Sequence, residues 1–206
     1  MKNIDDLIES AAEFAERGLS KGEIADELNV SRETASWLVE RAGAATGRPD
    51  ERPDDIHVDW SAIGRDGNRL AHVGRAMADL ITSHVTEADL TIGIEKAGVP
   101  LATMVAHTLE TDMGTYTPRK HQWDEGDIEE LGGSFSRNFA QIDGRDCYIV
   151  DDTITSGTTL TETVRAVKSE GGNPLSCAVL VDKQGLDEIE GVPVQSLVGV
   201  LRVDES

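Results

Sequence analysis

The sequence predicts an α/β protein built in two parts, a small all-helical module at the amino end followed by a mostly parallel sheet flanked by helices. Three observations predict it. Residues 4–39 repeat apolar side chains at helical spacing, interrupted by capping residues and a short turn. From residue 68 onward, short β-branched apolar runs alternate with helix-period segments, the order expected of parallel strands joined by crossover helices. Between the two, Gly43 to Asp55 is rich in Gly, Pro and Asp and has no periodicity, so it reads as a connection.

The elements follow in order. Ile4, Leu7, Ile8, Ala11 and Phe14 form the apolar stripe of a first helix. Ser20-Lys21-Gly22-Glu23 is a capping box that opens a second, whose stripe is Ile24, Ala25 and Leu28 and which stops at Asn29-Val30. Ser31 caps a third, with Ala35, Leu38 and Val39 on its buried side. Small Ala25 lets the last two helices cross closely and Val30 plugs their turn, which makes a helix-turn-helix. On that reading Ser31, Arg32, Glu33, Ser36 and Trp37 face outward, with Thr34 near the first turn, and can reach base edges or phosphates of DNA. Lys21 and Arg41 would hold the DNA backbone. Arg32 stands unfavourably at the positive end of a helix, which suggests another task for it. The alternative is a three-helix module that only mediates dimerisation.

A helix over 68–84 carries Leu70, Val73, Met77, Leu80 and Ile81, and strands at Leu90–Ile94, 114–117, 147–150, 175–181 and 194–200 alternate with helices at 99–110 and 158–171. A ligand is expected at the carboxyl ends of those strands. Domains are accordingly placed at 1–43 and 57–206, with 44–56 between them.

Composition bounds the setting. The chain has 206 residues with 19 basic and 39 acidic side chains, a formal net charge of −20 spread along its length. Even residues 1–48 hold 6 basic against 10 acidic groups. Such a surface repels DNA in dilute buffer. It suits a halophile's interior, where the Debye length falls to about 3 Å at 1 M salt and DNA contact works at short range. The polar start Met1-Lys2-Asn3 and the lack of an apolar run near about 18 residues predict a cytoplasmic protein with no membrane partner. Cys147 and Cys177 read as reduced strand residues, and the five histidines share no ligand spacing, so no metal site is expected.

The chemistry concentrates at Asp151-Asp152-Thr153-Ile154-Thr155-Ser156-Gly157-Thr158-Thr159. Thr155 to Thr159 can aim successive N–H groups and hydroxyls at one phosphate, aided by the start of the next helix. Asp151 and Asp152 leave the strand together, and at least one can accept from vicinal ribose hydroxyls. Gly157 allows close backbone approach. An acidic strand-to-helix turn with N-capping threonines is the plain alternative. No Walker pattern occurs.

This string resembles the PRPP-binding motif of type I phosphoribosyltransferases. Glu95, Lys96, Ala97 and Gly98, following the strand at Leu90–Ile94 and preceding Val99-Pro100, resemble that family's pyrophosphate loop, with proline suited to a first helical turn. Asp182 and Lys183 are similar to the base-side strand end of orotate phosphoribosyltransferases. Arg119, Lys120 and His121 resemble the start of the mobile loop that sets cations over the departing pyrophosphate. The sequence then departs, with five carboxylates in 122–130. Like charges there raise the barrier to transfer, and Lys183 offers a point charge where the orotate enzymes carry an arginine fork. Both departures favour binding over turnover, so no catalytic residue is assigned.

The whole arrangement resembles the GfcR family of haloarchaeal transcriptional regulators. That resemblance implies a DNA-binding regulator of sugar catabolism genes, sensing a phosphorylated metabolite and acting as a homodimer. No cofactor is obligatory, and Mg²⁺ would accompany a PRPP-like ligand. The alternative is a PRPP-dependent phosphoribosyltransferase, orotate-like or purine, of nucleotide salvage. A third reading is a metabolite-binding protein whose helices only dimerise.

Overall fold

The computed structural model describes residues 3–43, 55–85, 87–119 and 133–201. The chain forms two units, Met1–Ala62 and Ile63–Ser206.

In the first unit, α1 (Ile4–Glu16), α2 (Lys21–Glu27) and α3 (Arg32–Gly43) enclose a core of their own. Asn3 and Ser20 each form a full capping box, with Asp6 and Glu23, so both helix starts are satisfied locally. Ser31 Oγ accepts from Thr34 N at 3.0 Å and caps α3. The turn between α2 and α3 is made by Leu28, Asn29 in the left-handed region at φ 51° and the buried Val30. The geometry is compatible with a helix-turn-helix. Ala11, Ile24, Ala25, Leu28, Ala35 and Leu38 are the buried centre.

One expectation for α3 is overturned. Trp37 does not face outward: it is 8% exposed and belongs to this core, because a unit of three short helices needs its largest apolar side chain inside. The unit also runs beyond residue 43. After 44–54, which lie outside the described residues, the chain returns and binds the turn: Asp55 Oδ2 accepts from Ser31 N at 2.5 Å and Asn29 Nδ2 donates to Val58 O at 3.2 Å. Residues 55–62 therefore belong with the helices, whereas the sequence pattern begins the second domain at 57. Polar contacts of this kind leave no periodic trace in sequence.

The second unit holds a seven-stranded sheet in the order β3-β2-β1-β4-β5-β7-β6. Its strands are β1 (Leu90–Ile94), β2 (Asp112–Thr117), β3 (Ser134–Phe135), β4 (Asp146–Ile154), β5 (Asn173–Asp182), β6 (Glu188–Ile189) and β7 (Val192–Gly199). The five inner strands are parallel; the two-residue edge strands β3 and β6 are antiparallel. The short α4 (Ser61–Gly64) straddles the boundary at Ala62, and the helices of this unit are α5 (Gly67–Thr82), α6 (Gly98–Leu109) and α7 (Thr158–Ser169). Leu160, Val164 and Val167 of α7 pack with Leu90, Ile92, Cys147, Ile149, Cys177 and Val179. The alternating residues Tyr148 and Val150 of β4 are also buried and lie outside that cluster. α5 packs on α6, which covers β1 and β4.

β4 runs four residues past the expected end. Its pairing with β5 continues through Asp151 opposite Val179, Thr153 opposite Val181 and Ile154 opposite Asp182. Asp151 and Asp152 therefore lie within the strand and point to opposite faces, rather than leaving it side by side.

Both thiols are buried. Burial pushes Cys147 up to about 11, and burial first, then the Asp151 charge, raises Cys177. A thiol whose folded pKa exceeds its unfolded value contributes stability that is complete below the unfolded value of about 8.5. That contribution is lost as pH rises toward about 11. We expect the folded protein to leave a thiol reagent unconsumed at neutral pH, with both cysteines reacting on unfolding, and its stability to decline through this alkaline window. Rapid labelling of the native protein would contradict the assignment.

Candidate phosphoribosyl site

Three loops meet at the carboxyl edge of the sheet because β1, β4 and β5 are adjacent and parallel. After β1 come Glu95, Lys96, Ala97 and Gly98; after β4 come Thr155, Ser156 and Gly157; after β5 come Lys183 to Leu186. The Glu95–Lys96 peptide is cis. Glu95 is held at both ends, its N–H donating to Tyr116 O at 2.8 Å and its Oε2 accepting from Thr117 Oγ1 at 2.9 Å.

Gly98 is where the first loop touches the second. A Cβ there would stand 2.7 Å from Val150 O and 3.0 Å from Asp151 Oδ1, so only glycine lets α6 begin against β4. Asp151 thus faces the loop after β1. Asp152 is nearly buried, and its Oδ2 accepts from Thr153 Oγ1 at 3.2 Å.

Gly157 precedes α7 with φ 75°, the left-handed conformation that glycine adopts without strain. Local geometry, more than ligand approach, requires it. Ser156 Oγ and Thr158 Oγ1 lie 3.1 Å apart, and Thr161 Oγ1 donates to Gly157 O at 2.9 Å. The N-cap residue Gly157 has no side chain to offer, and Ser156 Oγ accepts instead from Thr158 N at a long 3.4 Å, so the start of α7 is only weakly capped, as an anion-binding helix start requires.

On the base side, Asp182 is 3% exposed. Its carboxylate accepts from Gln184 N at 2.8 Å, Gly185 N at 3.1 Å and Leu186 N at 2.7 Å. Asp182 therefore shapes this turn, and Lys183 is the half-exposed residue it presents. Gln184 Nε2 reaches back to Thr155 O at 2.5 Å, joining the base-side turn to the phosphate loop.

Glu162 carries a role that the sequence pattern does not reveal. Its Oε1 accepts from Tyr116 Oη at 2.8 Å, Arg119 N at 2.9 Å and Gly133 N at 3.2 Å. One carboxylate on α7 thus gathers the chain on either side of 120–132. Burial, then this carboxylate, raises the Tyr116 pKa, which keeps the phenol a donor. The partners are far apart in sequence, so no local signal could have found them. Lys120 and His121, and the acidic run after them, lie outside the described residues. Among the described residues no cluster of His, Cys, Asp or Glu could hold a metal ion by itself.

On the helical unit, Arg32 and Glu33 are exposed, and Ser31, Thr34 and Ser36 are half-buried on the first turns of α3. Arg32 lies over Gly22, its Nη2 3.4 Å from where a Cβ would stand. Lys21 pairs with Glu40 at 3.3 Å, both more than half exposed, a contact worth about 0–1 kcal/mol. The Arg41 guanidinium sits 5.1 Å from the Trp37 ring.

Comparison with known proteins covers the whole chain. The phosphoribosyl transferase domain family matches residues 59–190. Transcriptional regulator GfcR of Haloferax volcanii is 70% identical over 210 residues, with each chain covered in full. The regulator of the same name from Halobacterium salinarum is 62% identical, covering 98% of each chain. That of Methanosarcina mazei is 43% identical, covering 99% of this chain and all of its own. Among solved structures, orotate phosphoribosyltransferase of Aeropyrum pernix superposes with a TM-score of 0.57 at 20% identity, covering 73% of this chain and 81% of that one. The Mycobacterium tuberculosis enzyme in complex with PRPP gives 0.53 at 23% identity, covering 69% and 80%. At such identities the likeness shows the fold alone.

Proposed function

The chain belongs to the GfcR family of transcriptional regulators and carries a phosphoribosyl transferase domain, and from that premise we propose that its sheet unit senses a phosphorylated metabolite while α3 reads promoter DNA. The observation that carries the reading is the convergence at one sheet edge of Gly157 at φ 75°, the weakly capped start of α7 and Asp151 beside the Glu95–Gly98 loop. PRPP, or a sugar or nucleotide phosphate, fits that chemistry. Asp151, Asp152, Thr153 and the residues Thr155 to Thr159 take the phosphoribose, and Lys183 the distal group.

Arg32, Glu33 and Ser36 supply the outward face of α3 for base edges, and Lys21 and Arg41 the contacts to phosphates. The net charge of −20 opposes DNA in dilute buffer, and DNA binding on this reading needs a halophile's high salt, where repulsion is screened and short-range fit dominates. No helix among the described residues is long and apolar enough to cross a membrane. The regulated genes are those of sugar catabolism, as the family resemblance implies. A homodimer would set two α3 helices on half-sites about 34 Å apart.

The test is promoter binding in molar KCl. Selective retention of one promoter class, lost in Arg32→Ala while PRPP affinity holds, is the expected outcome; equal retention of random DNA would end the proposal. A second reading, phosphoribosyl transfer to a free base, is favoured by the retention of all three loops around the cradle. Steady PRPP turnover abolished by Asp152→Asn would support it.

A further inference from the structure

Residues 55–58 are bound to the helical unit by three successive hydrogen bonds to the turn that introduces α3. Asp55 Oδ2 accepts from Ser31 N at 2.5 Å, His57 Nδ1 meets Leu28 O at 2.5 Å, and Asn29 Nδ2 donates to Val58 O at 3.2 Å. A carboxylate at the start of α3 also opposes that helix's positive end. Among the described residues, these contacts to the turn before α3 come from the stretch of chain that continues into the second unit at Ile63.

The seat of this stretch is incompletely matched. A backbone carbonyl only accepts, so His57 Nδ1 carries the proton, and in the neutral ring Nε2 is an acceptor. Neither that Nε2 nor the Nε1–H donor of Trp37 has a hydrogen-bond partner among the described residues, although both atoms are buried. Trp37 and His57 line one cavity of about 60 Å³ together with Ile4, Leu7, Leu38 and Asp55. A buried donor and a buried acceptor left unpaired destabilise the position they occupy. The anchored position is thus held by three hydrogen bonds and opposed by two unpaired atoms beside a cavity, so it is the element here most readily biased by a ligand.

We infer that 55–58 is a strap that transmits occupancy of the phosphoribosyl site to α3: its anchored position holds Ser31 and the first turn in one pose, and its release or shift frees them. The inference rests on the regulatory reading above, and the strap holds none of the residues assigned there to the ligand or to DNA. A ligand regulates through it only by favouring one strap position over the other.

Hydrogen–deuterium exchange on the full chain in molar KCl tests this, with PRPP and Mg²⁺ as one probe and inorganic phosphate as the other. Exchange at Ser31 and Thr34 is expected to change by about threefold or more on adding PRPP. His57→Ala removes one anchor, and Asn29→Gly removes another while tolerating the left-handed backbone at φ 51°. Each should keep PRPP affinity and abolish the exchange response; either variant suffices if the other fails to fold. An unchanged Ser31 amide with both probes in the native sequence overturns the strap, as does a full response in both variants. A strap response in a protein that retains no DNA would uphold this inference and refute the regulatory reading.

Discussion

Gly98→Ala is expected to weaken PRPP binding on the order of a hundredfold and to lower the melting temperature of the sheet unit. The added methyl group would stand 2.7 Å from Val150 O and 2.9 Å from Asp151 Cα, both backbone atoms of the central strand β4. Side chains can turn away from such a contact; a strand paired on both sides has no room to move. Relief must come from α6 and the Glu95–Gly98 loop, which then retreat from Asp151. Overpacking at this level costs about 1–3 kcal/mol, and each 1.4 kcal/mol carried into binding is about tenfold in affinity. Calorimetric titration with PRPP reads the first effect and a thermal melt the second. Affinity within threefold of the native protein would show that the two loops do not form one site.

Trp37→Ala is expected to unfold the helical unit while the sheet unit stays folded. A buried tryptophan truncated to alanine costs about 3–5 kcal/mol, close to all the stability that a three-helix unit of this size commands. Circular dichroism should lose helical signal, and protease should cut within residues 1–62. DNA binding would vanish along with the fold. Arg32→Ala, on an exposed side chain, should abolish DNA binding with the helical signal intact, and Trp37→Phe should keep most of both. If Trp37→Ala leaves the helices folded and only DNA binding falls, the ring acts from the surface and its place in the core is wrong.

Much of the candidate site is readable along the chain because its parts are local. The turn from Thr155 to Thr159, the Glu95–Gly98 turn, the capping box at Ser20 and the cap at Ser31 each depend on residues within about one helical turn of each other, and their side-chain types announce them. Strand limits are less legible. β4 continues through Asp151 and Asp152 because β5 offers a paired partner as far as Asp182, and pairing across strands overrides the polar composition that suggests a loop. Trp37 misleads for a related reason. A helical stripe defined by Ala35, Leu38 and Val39 leaves its side undecided, and the burial of α1 and α3 against each other settles it inward.

Glu162 and Asp55 lie beyond sequence reasoning. Glu162 binds Tyr116, 46 positions away, and Asp55 binds Ser31, 24 positions away. Both act through polar contacts across long sequence separations, without periodicity or motif. The sequence by itself determined the α/β class, the order of helices and strands, the glycine turn before α7 and the acidic surface, because hydrophobic period, caps and glycine turns are encoded by near neighbours. Only the tertiary structure decided that Asp182 is buried within its turn, that one carboxylate gathers both sides of 120–132, and that 55–58 belongs to the turn before α3. The first depends on how the core packs over the end of β5, and the other two on which sequence-distant groups that packing brings within about 3 Å, the reach of a hydrogen bond.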